Sequence, residues 1–212
     1  MKQKLALFDF DGTMIKGDSI SGFVRLMVRL RLLPIPKLLH LLWNTLLWKT
    51  GKLPVEAVKS QALSPLNQLS RGEAGVLCRK FTLEKLVPNL YQDALDTMKQ
   101  HAAAGDLVLI VSASPLCYLK YLKEKLPVTH IIGTLTNDRY EVTANVARGE
   151  KNKQIISWLH DSGIDPDWAN SYAYGDSASD LEMLGLVGSP VLINPSREAR
   201  RLGRGIPVKM WK

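Results

Sequence analysis

The sequence predicts an α/β protein: a doubly wound parallel sheet, a small helical cap inserted after the first strand, and a β-hairpin. Three observations carry this prediction. Short apolar runs of strand length recur, Lys4–Phe10 (KLALFDF) and Leu107–Val111 (LVLIV) being the clearest. Helical stretches of about 10–15 residues alternate with the later runs, the rhythm of a parallel sheet covered on both faces. Between the first run and the rest lies a block with helical signal only.

The elements follow in order. Lys4–Phe10 is the first strand, and Asp11-Gly12-Thr13 closes it as a turn. A helix is expected over Ser19–Leu33, where Pro34 and Pro36 end it because neither can donate the helical hydrogen bond. A second runs over 37–49 and stops before Gly51 and Pro54. Weaker helical patterns cover Val55–Leu63 and Gly72–Lys85, and Pro88 ends the block. Asn89–Ala104 reads as a helix with Gly105 as its stop. Leu107–Val111 is apolar throughout, as a parallel strand buried on both faces should be. Pro115–Leu126 reads as helix, His130–Asn145 as a hairpin around Asn137-Asp138, and Lys151–Asp161 as helix. Ser171–Tyr174 is a short strand, Ser179–Leu186 a helix, and Pro190–Ile193 a last strand. Residues 1–15 and 87–212 then form a Rossmann-like core and 16–86 the cap. In such sheets ligands bind beyond the strand C-termini, so the cap would lie over the site.

Length and composition are consistent with this. The 212 residues suffice for one core domain plus a small accessory one, and 46% hydrophobic with 23% charged residues is an ordinary globular balance. No apolar run reaches the ~18–20 residues of a membrane span. The N-terminal run is broken by Asp9 and Asp11 and does not read as a signal peptide. Two cysteines, Cys78 and Cys117, cannot build a disulfide framework or a four-ligand zinc site, so the cytoplasm is the expected compartment. The net charge of +8 is concentrated. Ser19–Val55 carries six basic residues and no acid, Ser196–Lys212 six basic residues and one acid, and the remainder is net −3. Such patches match nucleic acid, an anionic membrane or a phosphorylated substrate, or are solvated helix faces.

Each strand of the central set ends in polar residues. Asp9 and Asp11, two apart, are expected to converge on one point, and two carboxylates so close call for a shared proton or a cation. Hard oxygen ligands favour Mg²⁺. Gly175-Asp176-Ser177-Ala178-Ser179-Asp180 supplies a second acid pair. Ser112-Ala113-Ser114 supplies hydroxyls and backbone N–H groups before a helix, and Lys151 a cation. A carboxylate nucleophile, a second carboxylate for proton transfer, a metal, a hydroxyl and a lysine are what phosphoryl transfer needs.

These motifs, Phe8-Asp9-Phe10-Asp11-Gly12-Thr13, Ile110-Val111-Ser112-Ala113-Ser114, Lys151 and Gly175–Asp180, resemble in order the four motifs of the haloacid dehalogenase superfamily of phosphatases. The helical insertion after the first motif resembles the cap of the branch that includes phosphoserine phosphatase. So does the tail with Val191-Leu192-Ile193-Asn194-Pro195 and Gly205-Ile206-Pro207-Val208. The resemblance implies that Asp9 attacks phosphorus and becomes an aspartyl phosphate. Asp11 protonates the leaving oxygen and later takes a proton from water. Asp9, the main-chain carbonyl of Asp11, and Asp176 bind Mg²⁺. Ser112 and Lys151 hold the phosphoryl oxygens, with Lys153 the alternative to Lys151, and Asp180 orients the lysine or a water of the metal. Asp18 stands where that branch carries a substrate-reading glutamate; a helix N-cap is its other reading.

The second cap helix, 37–49, sets Leu38, Leu39, Leu41, Leu42, Trp43, Leu46, Leu47 and Trp48 around most of its surface, with Lys37, His40 and Asn44 on one stripe. With its flanking basic residues it resembles an interfacial helix lying in an anionic membrane surface. Arg25 and Arg29, four apart on the preceding helix, would meet headgroups there or contact substrate. The competing occupants of this face are the cap's own core and a second copy in a homo-oligomer. The expected substrate is a phosphate monoester at a membrane surface, such as the headgroup phosphate of phosphatidylglycerophosphate. The expected place is then the cytoplasm, including the inner face of the membrane. A soluble metabolite of the phosphoserine or histidinol-phosphate type is the alternative. A basic nucleic-acid or lipid binding module without catalysis is the alternative of a different class; nucleic acid is not expected, because a pure binder has no need of paired acids. The four histidines, His40, His101, His130 and His160, have no metal-ligand spacing and read as surface or packing residues. Cys117, with no base beside it in the pattern, is not assigned a role.

Overall fold

The computed structural model describes residues 2–147 and 149–212. Leu5–Phe8 forms β1 at the centre of a seven-stranded sheet. Four helices follow: α1 (Ser19–Arg29), α2 (Ile35–Lys49), α3 (Val55–Leu63) and α4 (Arg71–Phe81). Then come α5 (Gln92–Ala103), β2 (Leu107–Pro115), the short α6 (Leu116–Leu119), and β3 (His130–Thr136) with β4 (Val142–Ala144). The chain closes with α7 (Gly149–Asp161), β5 (Tyr172–Gly175), α8 (Leu181–Leu184), β6 (Ser189–Ile193), α9 (Arg197–Leu202) and β7 (Val208–Lys209).

The sheet order is β4-β3-β2-β1-β5-β6-β7, and every pair is parallel except the β3–β4 hairpin. The chain builds outward on one side of β1 through β2 and β3, then returns to build the other side through β5 and β6. The strand ends flanking β1 are therefore the crevice where such sheets bind ligands. The period of two explains why LVLIV needs no polar residue. Ala6, Phe8, Val108, Ile110 and Tyr174 pack on one face with Phe23 and Met27 of α1 and Ala94 and Met98 of α5. Leu5, Leu7, Leu109, Val111 and Ala173 pack on the other with Ile155 and Leu159 of α7 and Met183 and Leu184 of α8.

The structure departs from the sequence expectations in three places. The helix expected over Pro115–Leu126 is one α-helical turn followed by a 3₁₀ turn, Lys120–Glu124, because β2 runs on to Pro115 and Pro127 lies close behind. The helix expected over Ser179–Leu186 is likewise a 3₁₀ turn, Ala178–Asp180, running into α8. Strand β7 is too short, at two residues, to leave a sequence pattern.

Candidate active site

The polar groups sit just past the ends of β1, β2 and β5. Asp9 N donates to Tyr174 O at 2.9 Å, so the backbone continues the β1–β5 ladder by one residue and fixes where the Asp9 side chain begins. Gly12 then turns the chain with φ of +83°, and a Cβ there would meet Asp176 Oδ2 at 2.3 Å. Only glycine satisfies both the left-handed backbone and the close approach. The returning Thr13 hydroxyl, fully buried, lies 3.0 Å from Asp9 Oδ2, to which it donates, and 3.4 Å from Asp176 Oδ1.

Lys151, in the first turn of α7, is 2% exposed. Its Nζ donates to Asp9 Oδ1 and to Asp180 Oδ1, both at 2.6 Å. The other oxygen of Asp180 accepts the Ser177 N–H at 3.0 Å and the Ser177 hydroxyl at 2.6 Å. Asp180 is thereby locked from both sides and holds the lysine against Asp9. Burial alone would lower Lys151, but the Asp9 and Asp180 carboxylates hold it above its ordinary value. Burial would raise Asp180, and Lys151 with Ser177 hold it below the ordinary carboxylate range. Burial pushes Asp9 up to about 8 against the pull of Lys151, with Asp180 and Asp176 repelling its charge. Burial, then Asp180, carries Asp176 to about 7.

Oxygens of Asp9, Asp176 and Asp180 lie within 4.8 Å of one another. Three carboxylates share one lysine, so the cluster holds more negative charge than its own cation balances. A hard divalent cation fits this donor set.

Asp11 faces elsewhere. Its Oδ1 accepts the Ser19 N–H at 2.6 Å, and its Oδ2 accepts the Ser19 hydroxyl at 3.1 Å and the Ser114 hydroxyl. Ser19 Oγ lies 2.9 Å from the Tyr118 hydroxyl. Burial pushes Asp11 up to about 6 while the Ser114 and Ser19 hydrogen bonds oppose the shift. The strand ends at Phe8 and Asp11 already belongs to the turn; among the described residues the Asp9 and Asp11 carboxylates are held by separate hydrogen-bond partners.

Ser112 is 1% exposed; its hydroxyl accepts the Ser114 N–H at 3.0 Å. Lys153 is exposed and pairs with Glu150 at 3.3 Å, away from the cluster. Asp18 is the N-cap of α1, accepting the Ser21 N–H at 3.0 Å. Asp18, Arg25 and Arg29 line a cavity whose walls contain none of Asp9, Ser112, Lys151, Asp176 or Asp180. Of the histidines, only His101 is buried, where it packs between Asp106 at 2.7 Å and the Tyr174 hydroxyl at 2.8 Å. The neighbouring Cys78 thiol, together with burial, raises the Cys117 thiol well above the usual range.

Sequence reasoning missed Lys59, Thr13, Ser19 and Tyr118. Lys59 Nζ, from α3, donates to Ala113 O at 2.6 Å and to Asn145 Oδ1 at 2.5 Å. Burial pulls it down to about 8, although Asp18 and Asp11 favour its charge. A signal for it exists: Lys59 stands four residues from Val55 and from the buried Leu63, on the inward face of its helix.

With this geometry in place, the comparisons with known proteins fall into line. Residues 6–185 match the family model of haloacid dehalogenase-like hydrolases, and the chain belongs to that family. It is a phosphoric monoester hydrolase. A histidinol-phosphatase of Neisseria meningitidis serogroup C is 27% identical across 99% of this chain and 100% of its own. A phosphoserine phosphatase of Mycobacterium tuberculosis is 26% identical across 94% of this chain and 67% of its own. A Bordetella pertussis Tohama I protein of unknown function shares the structure at a TM-score of 0.87, with 27% identity and 98% of each chain covered. A substrate-bound phosphoserine phosphatase shares the fold at a TM-score of 0.61, with 19% identity over 97% of this chain and 99% of its own. No helix among the described residues is long and apolar enough to cross a membrane.

Proposed function

We propose that this phosphatase hydrolyses a phosphate monoester presented at an anionic membrane surface, a lipid headgroup phosphate of the phosphatidylglycerophosphate kind. The observation that supports this reading most is the outer face of α2. Ile35, Leu39, Leu42, Trp43 and Leu46 are each more than half exposed, Trp48 is 41% exposed, and Leu41 alone on this helix is buried. The segment Ser19–Val55, which contains α2, carries six basic residues and no acid, the charge complement of an anionic bilayer. Apolar burial at ~25 cal/mol per Å² and ~1 kcal/mol per basic residue near the surface together suffice for reversible peripheral binding. Residues 16–86 act as the cap over a core of 1–15 and 87–212, and the enzyme works at the inner face of the membrane.

In the reaction, Asp9 attacks phosphorus and the P–O bond to the leaving group breaks, forming an aspartyl phosphate. Asp11 gives its proton to the departing oxygen, and the hydroxyls of Ser19 and Ser114 hold its carboxyl in place. Water then attacks the aspartyl phosphate as Asp11 takes back a proton. Lys151 and Ser112 hold the phosphoryl oxygens, and Asp180 keeps Lys151 charged and aimed. Asp9, Asp176 and the main-chain carbonyl of Asp11 would hold Mg²⁺, which supplies charge neutralisation between an anionic nucleophile and an anionic phosphate.

A second reading is favoured by the histidinol-phosphatase and phosphoserine phosphatase relatives: a soluble substrate of the histidinol-phosphate or phosphoserine type. A panel of phosphate monoesters assayed with and without anionic vesicles, alongside sedimentation with those vesicles, separates the two. The membrane reading expects the wild type to pellet at low salt, less so as salt screens the contact. It expects Trp43→Glu/Trp48→Glu to remain in the supernatant and lose activity on the lipid phosphate. If the wild type stays in solution, the α2 face belongs to an interface between copies, and the soluble substrate takes the lead.

A further inference from the structure

One cavity lies beside the catalytic cluster without belonging to it. Its volume of about 450 Å³ is that of a small-molecule site. Both chain segments that join the sheet to the helical insertion form its walls: Lys16 stands on the outgoing segment and Lys85 on the returning one, and Arg25 and Arg29 project from α1. Four basic side chains thus face a concavity that holds one acid, Asp18, whose carboxylate already accepts the Ser21 N–H. None of the four is in an ion pair among the described residues. Like charges gathered without a counter-charge repel each other, and an anion placed among them removes that repulsion. Arginine forks present paired N–H groups that match phosphate oxygens. The opposite wall is hydrocarbon, from the buried Ile15, Phe81 and Leu86.

We propose that this cavity binds a phosphate group carried on a short organic stem, at a site distinct from Asp9 and its partners. The basic side chains take the phosphate and the apolar wall takes the stem. Occupancy bridges the outgoing and returning segments. It also bears on catalysis, because Ser19 lines the cavity and donates twice to Asp11. The same chemistry occurs in a soluble phosphate ester and in the headgroup of an anionic phospholipid. The assignment stands on the cavity and does not need the membrane-substrate reading.

The test is hydrogen–deuterium exchange read by mass spectrometry on peptides covering residues 15–29 and 82–91. The probes are propylphosphonate, which cannot be hydrolysed, and vesicles of phosphatidylcholine with phosphatidylglycerol. Both peptides should exchange at least about threefold more slowly with a probe in the wild type. The protection should vanish in Arg25→Gln/Lys85→Gln, whose side chains are exposed and whose loss leaves the fold intact. Protection by propylphosphonate identifies a soluble phosphate ester as the source, and protection by vesicles alone identifies a lipid headgroup. Docking of α2 on vesicles would reach at most the first peptide, so protection of the second is required. The proposal is overturned if neither probe protects residues 82–91, or if the variant keeps the protection. Phosphatase activity is measured separately, so a failure here leaves that function standing.

Discussion

The ends of the central strands and the outer face of α2 invert the usual distribution of residues in opposite ways. At the strand ends, Asp9, Lys151 and Asp180 are charged groups at most 6% exposed. On α2, leucines and tryptophans stand in solvent. Buried charge is tolerated because each group contacts a partner at hydrogen-bond distance, and those contacts fix the geometry. The exposed hydrocarbon has no partner among the described residues. The first inversion is complete in itself, and the second calls for something outside the molecule. Changes at the strand ends should therefore damage the reaction and lower stability, and changes on the outer face of α2 should do neither in isolation.

The largest effect belongs to Asp9→Asn. A neutral amide cannot attack phosphorus, so turnover of an aryl phosphate should fall on the order of 10³-fold or more, while circular dichroism shows a folded protein. Retention of activity within tenfold would sink the assignment of the nucleophile. Asp11→Asn should discriminate among leaving groups: alkyl phosphates, which need the proton, should lose more than aryl phosphates, which leave without it. An equal loss across both would remove Asp11 from the acid role. Mg²⁺ should raise the thermal midpoint of the wild type and fail to do so in Asp176→Asn, a reading independent of turnover.

Next comes Lys151→Met. It leaves Asp9 and Asp180 facing each other without the cation that both contact at 2.6 Å. Removing one member of a buried charged set costs about 3–5 kcal/mol, measurable by denaturant unfolding. The double change Lys151→Met/Asp180→Asn should recover part of that loss, since it removes one of the stranded charges. A loss under about 1 kcal/mol would mean that water reaches this cluster and that its burial is not as described.

Much of the strand-end cluster could be read from the sequence because its residues sit at strand ends that apolar runs mark out. Asp9, Ser112, Asp176 and Asp180 follow such runs within about five positions, whereas Lys151, in the first turn of α7, could be read only as the third of four motifs in order. The Asp11 environment could not, because it depends on where α1 places Ser19 and where β2 places Ser114, two contacts made across 8 and 103 residues of chain. The inward position of Lys59 on α3 could be read, but its partners could not, for the same reason: Ala113 and Asn145 are 54 and 86 residues away. On α2 the periodicity identified a helix, but only packing decides which apolar residues are covered. Leu41 is, and its neighbours Leu42 and Trp43 are not.

Lys59 of α3 reaches from the insertion to the end of β2. Its folded value of about 8 lies below the ordinary 10.5 because burial disfavours the charge. Below pH 8 the lysine is charged in both states and its burial cost is fully present. Between about pH 8 and 10.5 the folded protein sheds this proton first, the unfolded chain holds more protons, and stability gains from this group as pH rises. Lys59→Met should flatten that rise by roughly 1–3 kcal/mol relative to the wild type, followed as the denaturation midpoint against pH. Identical slopes in the two proteins would place the amine in contact with water.

The smallest effect gives the sharpest form of the comparison, because it is made within one helix. Leu41 is 4% exposed and lies in the core cluster that reaches from the sheet into the insertion, whereas Trp43 is 60% exposed. Truncating Leu41 to alanine removes buried methyl groups and leaves a space the surroundings fill only in part, at a cost of about 2–4 kcal/mol. Truncating Trp43, a far larger side chain, should change stability by no more than about 0.5 kcal/mol, because its surface meets water in both states. Urea unfolding of Leu41→Ala and Trp43→Ala at equal protein concentration measures both. The same pair at tenfold higher concentration tests the covering of the face. If copies pair through α2, the wild type gains stability with concentration and Trp43→Ala loses that gain. If a membrane covers it, no midpoint depends on concentration, and Trp43→Ala parts from the wild type only when vesicles are added.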